Sequence, residues 1–102
     1  MSEADFSTTS AKSDSDELLT GGQLLALQLA ALDVEVVFGV PGAQLDWAID
    51  GLARSAPHIR FVHARHEQGA AYMADGYARS TGRVGVFMVV PGPGMLNATA
   101  AL

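Results

Sequence analysis

The chain has 102 residues, 49% of them hydrophobic, which is enough for one small domain with a modest core. The net charge of −5 is concentrated at the start, because residues 1–17 hold five acidic and one basic residue while residues 18–102 hold six acidic and five basic ones. The nearly neutral body argues against a nucleic-acid-binding surface, and the absence of cysteine excludes disulfides and thiolate metal sites.

The first 17 residues predict a disordered acidic leader. They are rich in Ser, Thr, Asp and Glu, and this composition buries too little apolar surface to offset the entropy of ordering. They lack the basic start and apolar segment of a signal peptide, and no apolar run in the chain reaches the roughly 18 residues of a membrane span. We therefore expect a cytoplasmic protein with neither a membrane nor a nucleic-acid partner.

Helix and strand signals alternate after the leader. Thr20, followed three residues later by Gln23, predicts a capping box for a first helix that is apolar around much of its circumference and therefore buried. The β-branched and aromatic run at residues 34–38 predicts a strand buried on both faces, which the turn at residues 39–42 ends. A second helix is predicted over residues 43–53.

The second half of the chain repeats this pattern. A strand is predicted at residues 59–62, a helix at residues 66–81 with Gly82 as its C-terminal cap, and a third and strongest strand at residues 84–90. Residues 93–102 predict the first turns of another helix. The order predicts a right-handed parallel α/β layer, and because the last helix has no stop signal we expect the front of a larger domain, incomplete at its C-terminus.

Three turns are candidates for a binding site, because ligands of open parallel sheets bind beyond the carboxyl ends of the strands. The turns at residues 39–42 and 91–94 supply Gly and Pro, and the turn at residues 64–67 supplies the carboxylate of Glu67. Neither glycine turn has the pattern of a phosphate-binding loop. Glu67 by itself is also typical of a glutamate that only stabilises a helix N-terminus.

Two other arrangements are weaker candidates. His63, His66 and Glu67 do not have the spacing of a metal site, so a surface His63 and a helix-start His66 are favoured. Trp47 and Tyr72 are interpreted as packing residues. Small residues that follow Glu67 on or near its helix face predict close approach by another helix or a ligand; they are Ala70, Ala71, Ala74 and Ala78.

Four motifs, in this order and spacing, carry a resemblance to a known family. They are the V-F-G-V-P-G run at residues 37–42, R-H-E-Q-G-A-A at 65–71, A-D-G-Y-A-R-S-T-G at 74–82, and G-P-G at 92–94 with Asn97. The chain from about residue 19 to residue 102 resembles the N-terminal, pyrimidine-binding domain of thiamine diphosphate enzymes, with the nearest similarity to the acetolactate synthase-like branch. The resemblance implies a Rossmann-like, thiamine diphosphate-binding fold.

The resemblance also implies roles for particular residues. Glu67 would hydrogen-bond the N1′ nitrogen of the aminopyrimidine and so activate the cofactor, which attacks a 2-oxo acid. Pro41, Gly42, Pro93 and Asn97 match positions that line the pyrimidine pocket. It further implies Mg²⁺ and diphosphate binding by a domain outside this chain, a homodimer or homotetramer, and an FAD requirement that differs between branches. The chain alone would then supply half a site and be inactive.

One departure and two alternatives accompany this interpretation. Val90-Pro91 stands where synthase-type relatives usually carry a polar pair such as Thr-Ser, which puts a hydroxyl contact there and the exact branch in doubt. A truncated, non-catalytic remnant or interaction module with the same fold is the first alternative. An unrelated α/β nucleotide-binding domain is the second, and the missing phosphate loop argues against it.

Overall fold

The computed structural model describes residues 18–102, so the predicted leader lies outside the described residues. The described chain alternates helices and strands, with one 3₁₀ turn at Ala43–Leu45 and another at Thr99–Ala101. The main elements are α1 (Gly21–Ala31), β1 (Val36–Gly39), α2 (Asp46–Ser55), β2 (Arg60–His63), α3 (Glu67–Thr81), β3 (Phe87–Met88) and α4 (Pro93–Ala98).

The three strands form one parallel sheet in the order β2-β1-β3. In the sheet, Val36 of β1 pairs with Arg60 of β2, and Phe38 of β1 pairs with Phe87 of β3. From β1 the chain passes through α2 to β2 on one side, and from β2 it passes through α3 across β1 to β3 on the other side. Because such connections are right-handed, α2 and α3 lie on opposite faces of the sheet. The α/β class is confirmed, and the strand order creates a switch point between the carboxyl ends of β1 and β3.

Each face of β1 packs against different helices. Val37 is fully buried in a cluster with Ala26 of α1 and Leu52 of α2, whereas Phe38 meets Tyr77 of α3 edge to face with ring centroids 6.1 Å apart. Complete burial of a valine side chain contributes roughly 1.5–3 kcal/mol. The two-sided burial predicted for β1 is therefore confirmed, and it fixes the central strand from which the site's turns emerge.

Helix α1 differs from its prediction. The capping box is present, with the Thr20 hydroxyl accepting from the Gln23 N–H at 3.1 Å, but only Gly22 and Ala26 are buried along the helix. A Cβ on Gly51 of α2 would lie 2.2 Å from the Gly22 carbonyl oxygen, so the backbones of the two helices are in direct contact at these glycines where the helices cross. Because the small residues face inward, most leucines here point outward, and the expectation of a mostly buried helix was wrong. Leu29 packs against the core, whereas Leu24, Leu25 and Leu27 of α1 and the C-cap Leu32 are 41–65% exposed.

The strength predicted for the third strand was also wrong. β3 is the shortest strand, with two residues, although the backbone N–H of Phe38 also donates to the Val86 carbonyl at 3.0 Å. Val84, predicted to open the strand, is 80% exposed. β1 ends at Gly39, which pairs with Met88, so Val89 and Val90 lie beyond the end of their partner strand. Strand β2 is exposed at both of its ends, at Arg60 and His63.

Candidate functional site

The turns after β1, β2 and β3 meet at the carboxyl edge of the sheet. A Cβ built on Gly42, after β1, would lie 2.5 Å from Cγ1 of Val90, which follows β3. A Cβ on Gly94, in the first turn of α4, would lie 2.8 Å from Val90 Cγ2 and 3.6 Å from Glu67 Oε2. These short distances show that all three turns lie next to one another, as the sequence predicted.

Glu67 begins α3, and its carboxylate points toward α4. His66 is the N-cap of α3, and its Nδ1 accepts a hydrogen bond from the Gln68 N–H at 3.0 Å. Asn97 Nδ2 donates to Glu67 Oε1 at 3.3 Å. The helix start therefore sets the backbone direction at Glu67, while Asn97 orients the carboxylate from a different element.

The charge state of Glu67 follows from these contacts. Its pKa is lowered mainly by a hydrogen bond from its own backbone N–H, then by Asn97 and by the neighbouring His66, while desolvation opposes them. The contacts that lower the pKa outweigh the effect of desolvation. Glu67 is a partly exposed carboxylate, ionised at neutral pH, that can accept a hydrogen bond from a ligand.

The alanines that follow Glu67 serve the packing of α3. Ala70, Ala71 and Ala74 are buried, and the helix contacts β1, β3 and α4. A Cβ on Gly85 would lie 2.1 Å from the Ala74 carbonyl oxygen, so the chain that leads into β3 passes directly against the helix backbone. The alanines were predicted to allow close approach by another helix or a ligand, whereas the segment that lies against Ala74 is the chain entering β3.

The structure brings together only part of the predicted set. Gly42, Glu67 and Asn97 are joined by the contacts above, whereas Pro41 and Pro93 are exposed in the same turns. Pro93 is the first residue of α4, where its fixed φ suits a helix start. Val90, which no functional prediction included, lies between Gly42 and Gly94, and only the apolar side chain before a Gly-Pro-Gly turn marked it in the sequence.

The weaker candidates lie elsewhere or have other roles. Within residues 18–102 no group of three or more His, Cys, Asp or Glu is placed to hold a metal ion, and His63 is exposed at the end of β2. Trp47 is 67% exposed, so it is not the packing residue that was predicted, and Tyr72 is half exposed with its hydroxyl donating to Ala100 O at 3.4 Å. None of the helices described is long and apolar enough to cross a membrane.

An open depression lies at the other end of the sheet. It is lined by Asp33, Glu35, His58 and Arg83, among others. Arg83 donates from Nη2 to the Asp33 carbonyl at 2.6 Å and pairs from Nη1 with Glu35 Oε2 at 3.3 Å. These contacts tie the segment before β1 to the segment before β3, and the depression shares no lining residue with the Glu67 site. Arg83 uses both of its terminal nitrogens in these contacts, which indicates a structural role.

Residues 19–102 match the sequence profile of the family described as "Thiamine pyrophosphate enzyme, N-terminal TPP binding domain". A parallel α/β layer with a carboxylate and two glycine turns at its carboxyl edge agrees with that description. The chain belongs to the thiamine pyrophosphate enzymes, of which it is an N-terminal, cofactor-binding domain of the acetolactate synthase-like kind.

Relatives of the chain show both how similar the sequences are and how much of each is matched. The chain is 49% identical over 84 residues to a probable 2-ketoarginine decarboxylase of Pseudomonas aeruginosa, with 82% of this chain and 15% of the relative covered. It is 48% identical over 88 residues to an acetolactate synthase of Mycobacterium leprae, with 86% and 14% covered. An acetolactate synthase large subunit of Lactococcus lactis is 42% identical over 83 residues, with 81% and 14% covered. The chain thus spans about one seventh of the length of these relatives.

Proposed function

We propose that residues 18–102 form the aminopyrimidine half of a thiamine diphosphate site in a 2-oxo acid synthase, decarboxylase or lyase, and that Glu67 activates the cofactor. The observation that carries the proposal is the Glu67 carboxylate itself. Asn97 orients it, and its Oε2 lies 3.6 Å from the position that a Cβ on Gly94 would take. When bound, thiamine diphosphate supplies the nucleophilic carbon that adds to a 2-oxo acid and accepts the electrons released on decarboxylation.

The side chains at the edge suit an aminopyrimidine. Asn97 donates to Glu67 Oε1, and among the described residues no other side chain donates to this carboxylate, so Oε2 can meet a ring nitrogen. The absence of a Cβ at Gly42 and Gly94 leaves room for the side chain of Val90, which gives the two turns an apolar surface close to the carboxylate. Glu67 would hold a proton shared with N1′, while Asn97 keeps the carboxylate from rotating away.

The remaining parts of the reaction are assigned to protein outside residues 18–102. We propose that a second domain, supplied by another subunit of a homodimer or homotetramer, binds Mg²⁺ and the diphosphate. The relatives bear names as different as decarboxylase and synthase at similar identity to this chain. The present domain therefore supports cofactor activation, a step shared by those reactions, and leaves the substrate, the acceptor and any FAD to the other parts.

The proposal is tested by Glu67→Gln in the full-length enzyme that contains this domain. The amide keeps the size of the side chain but cannot share a proton with N1′, so we expect kcat to fall on the order of 10²- to 10⁴-fold, the usual contribution of a positioned acid–base group. Cofactor binding should persist. Asp46→Asn is the matched control, because Asp46 is the first-turn acid of a different helix, α2, and turnover should be unchanged. Near-normal turnover of Glu67→Gln would refute the role of Glu67.

A second test separates this proposal from a non-catalytic binding module. Isothermal titration of the 102-residue chain with thiamine diphosphate should give no measurable heat of binding at micromolar concentrations, because the charged diphosphate has no partner in the half-site. Micromolar affinity of the isolated chain would contradict the half-site arrangement and favour an autonomous binding module.

A further inference from the structure

Val90 occupies the space between the two glycine turns of the site. A Cβ on Gly42 would meet its Cγ1 at 2.5 Å and a Cβ on Gly94 would meet its Cγ2 at 2.8 Å, so each γ-methyl takes the volume that a side chain would need on one turn. Both distances are below any ordinary carbon–carbon contact. One branched side chain therefore contacts the turn after β1 on one side and the start of α4 on the other.

The stiffness of valine gives this contact a positioning effect. A β-branched side chain has one strongly preferred rotamer in most backbone conformations, so its two methyl groups act as a spacer of fixed width. The two turns flank the switch point between β1 and β3, where the sheet itself leaves a crevice. Gly94 also lies next to Glu67, so a displacement of the turn at Gly94 would move the ring away from the carboxylate.

We propose that Val90 is a positioning residue of the aminopyrimidine half-site, whose two γ-methyl groups set the separation of the Gly42 and Gly94 turns and thereby the alignment of the pyrimidine N1′ with Glu67. The inference rests on the proposed function. It assigns Val90 no contact with reacting atoms and no proton transfer. Its effect is geometric, and a small misplacement of a catalytic group is sufficient to lose much of its contribution.

The test measures recognition of a single ring atom. In the full-length enzyme, dissociation constants are determined for thiamine diphosphate and for the analogue in which N1′ is replaced by C–H. The ratio of the two constants reports the Glu67–N1′ hydrogen bond, and for a bond to a charged group it is expected to be on the order of 10- to 100-fold. A change that only weakens the fold alters both constants alike and leaves the ratio unchanged.

Three variants give the expected results. Val90→Ala removes both γ-methyls, and the ratio should fall to about threefold or less, since the loss of alignment weakens a directional bond. Val90→Thr keeps the branched shape, and the ratio should stay within about twofold of wild type. Val86→Ala, in a valine that packs on the core cluster away from the turns, should lower the melting temperature by a few degrees and keep the ratio.

The outcomes separate the two levels of the hypothesis. A folded Val90→Ala enzyme with the wild-type ratio would overturn the inference about Val90, and so would a loss of the ratio in Val90→Thr, even if Val90→Ala failed to fold. If Glu67→Gln abolishes the ratio while Val90→Ala keeps it, the proposed function stands without the positioning role. If the wild-type enzyme itself shows no ratio above one, the proposed Glu67–N1′ contact fails, and the inference fails with it.

Discussion

Asn97 Nδ2 lies 3.3 Å from Glu67 Oε1, a hydrogen bond between residues 30 positions apart in the chain. The bond joins α4, which follows the turn after β3, to the first turn of α3, which follows β2. Since the two turns belong to strands on opposite sides of β1, this contact spans the carboxyl edge of the sheet. It lets the final helix of the described chain control the direction of the carboxylate.

Asn97→Ala should raise the pKa of Glu67 toward the ordinary glutamate value, because Asn97 is the second largest cause of the lowering. A carboxyl with a lowered pKa in the folded state contributes stability above its ordinary pKa and loses it as the pH falls through the lowered value. Above the ordinary pKa the variant should therefore gain less stability from Glu67 than wild type, and its smaller loss on acidification should be complete at a higher pH. NMR titration of the Glu67 side-chain carboxyl measures the shift directly.

Thr99→Ala is the control for this titration, because the Thr99 hydroxyl donates to the Leu96 carbonyl in the same segment and does not contact Glu67. Its Glu67 titration should coincide with that of wild type. A Glu67 pKa in Asn97→Ala that matches wild type would show that the hydrogen bond does not operate in solution.

Gly51→Ala should destabilise the chain, whereas Gly76→Ala should not. A Cβ on Gly51 would lie 2.2 Å from the backbone oxygen of Gly22, and backbone cannot move aside without separating α1 from α2. We expect a loss of about 1–3 kcal/mol, the usual cost of overpacking. Gly76 has no atom within 4 Å of its Cβ position, so alanine there should add about 0.5–1 kcal/mol through helix propensity.

Urea denaturation of both variants gives the comparison. The two substitutions are chemically identical and both lie inside helices, so a difference in sign can come only from the space around them. Equal effects on the free energy of unfolding would contradict the glycine crossing of α1 and α2.

His66→Ala should remove the side-chain cap of α3. The Nδ1 atom of His66 accepts from the Gln68 N–H at 3.0 Å, and loss of an N-cap acceptor costs about 1 kcal/mol of stability. His66→Asn should restore most of the loss, since asparagine is a strong capping residue. His63→Ala, at the exposed end of β2, is the control and should change the melting temperature little. An unchanged melting temperature in His66→Ala would exclude the capping role.

The sequence predicted the elements that depend on local chemistry. The capping box of Thr20 and the left-handed Gly82, with φ 75°, both lie where the residue types placed them, within a residue of each helix boundary. The order of the elements and the convergence of three turns also followed from the alternating pattern. These features could be predicted because each depends on a few consecutive residues or on the handedness of the chain.

The exposure of side chains could not be predicted in the same way. The leucines of α1 were predicted to be core residues. Glycine and alanine face α2 instead, because α1 and α2 cross so closely that only small residues fit between them. The valines around β3 were predicted to form the strongest strand, yet pairing stops at Met88 because its partner β1 ends at Gly39. Val90 was noticed only as a departure from a polar pair, since its contact with Gly42 joins segments almost fifty positions apart. Each of these outcomes depends on a partner element rather than on local sequence.

Gly94→Ala should be destabilising, and Val90→Ala should relieve the loss. The added Cβ would lie 2.8 Å from Val90 Cγ2, and the stiff valine cannot rotate that methyl away, so we expect a cost of about 1–3 kcal/mol. In the double variant the methyl is absent, and the two changes should couple by about 0.5–3 kcal/mol in the favourable direction. Gly69→Ala is the control, because its Cβ would meet only Ala64 Cβ at an ordinary 3.9 Å. Free energies of unfolding of the four chains complete the cycle, and strict additivity would mean that Val90 does not fill the space beside Gly94.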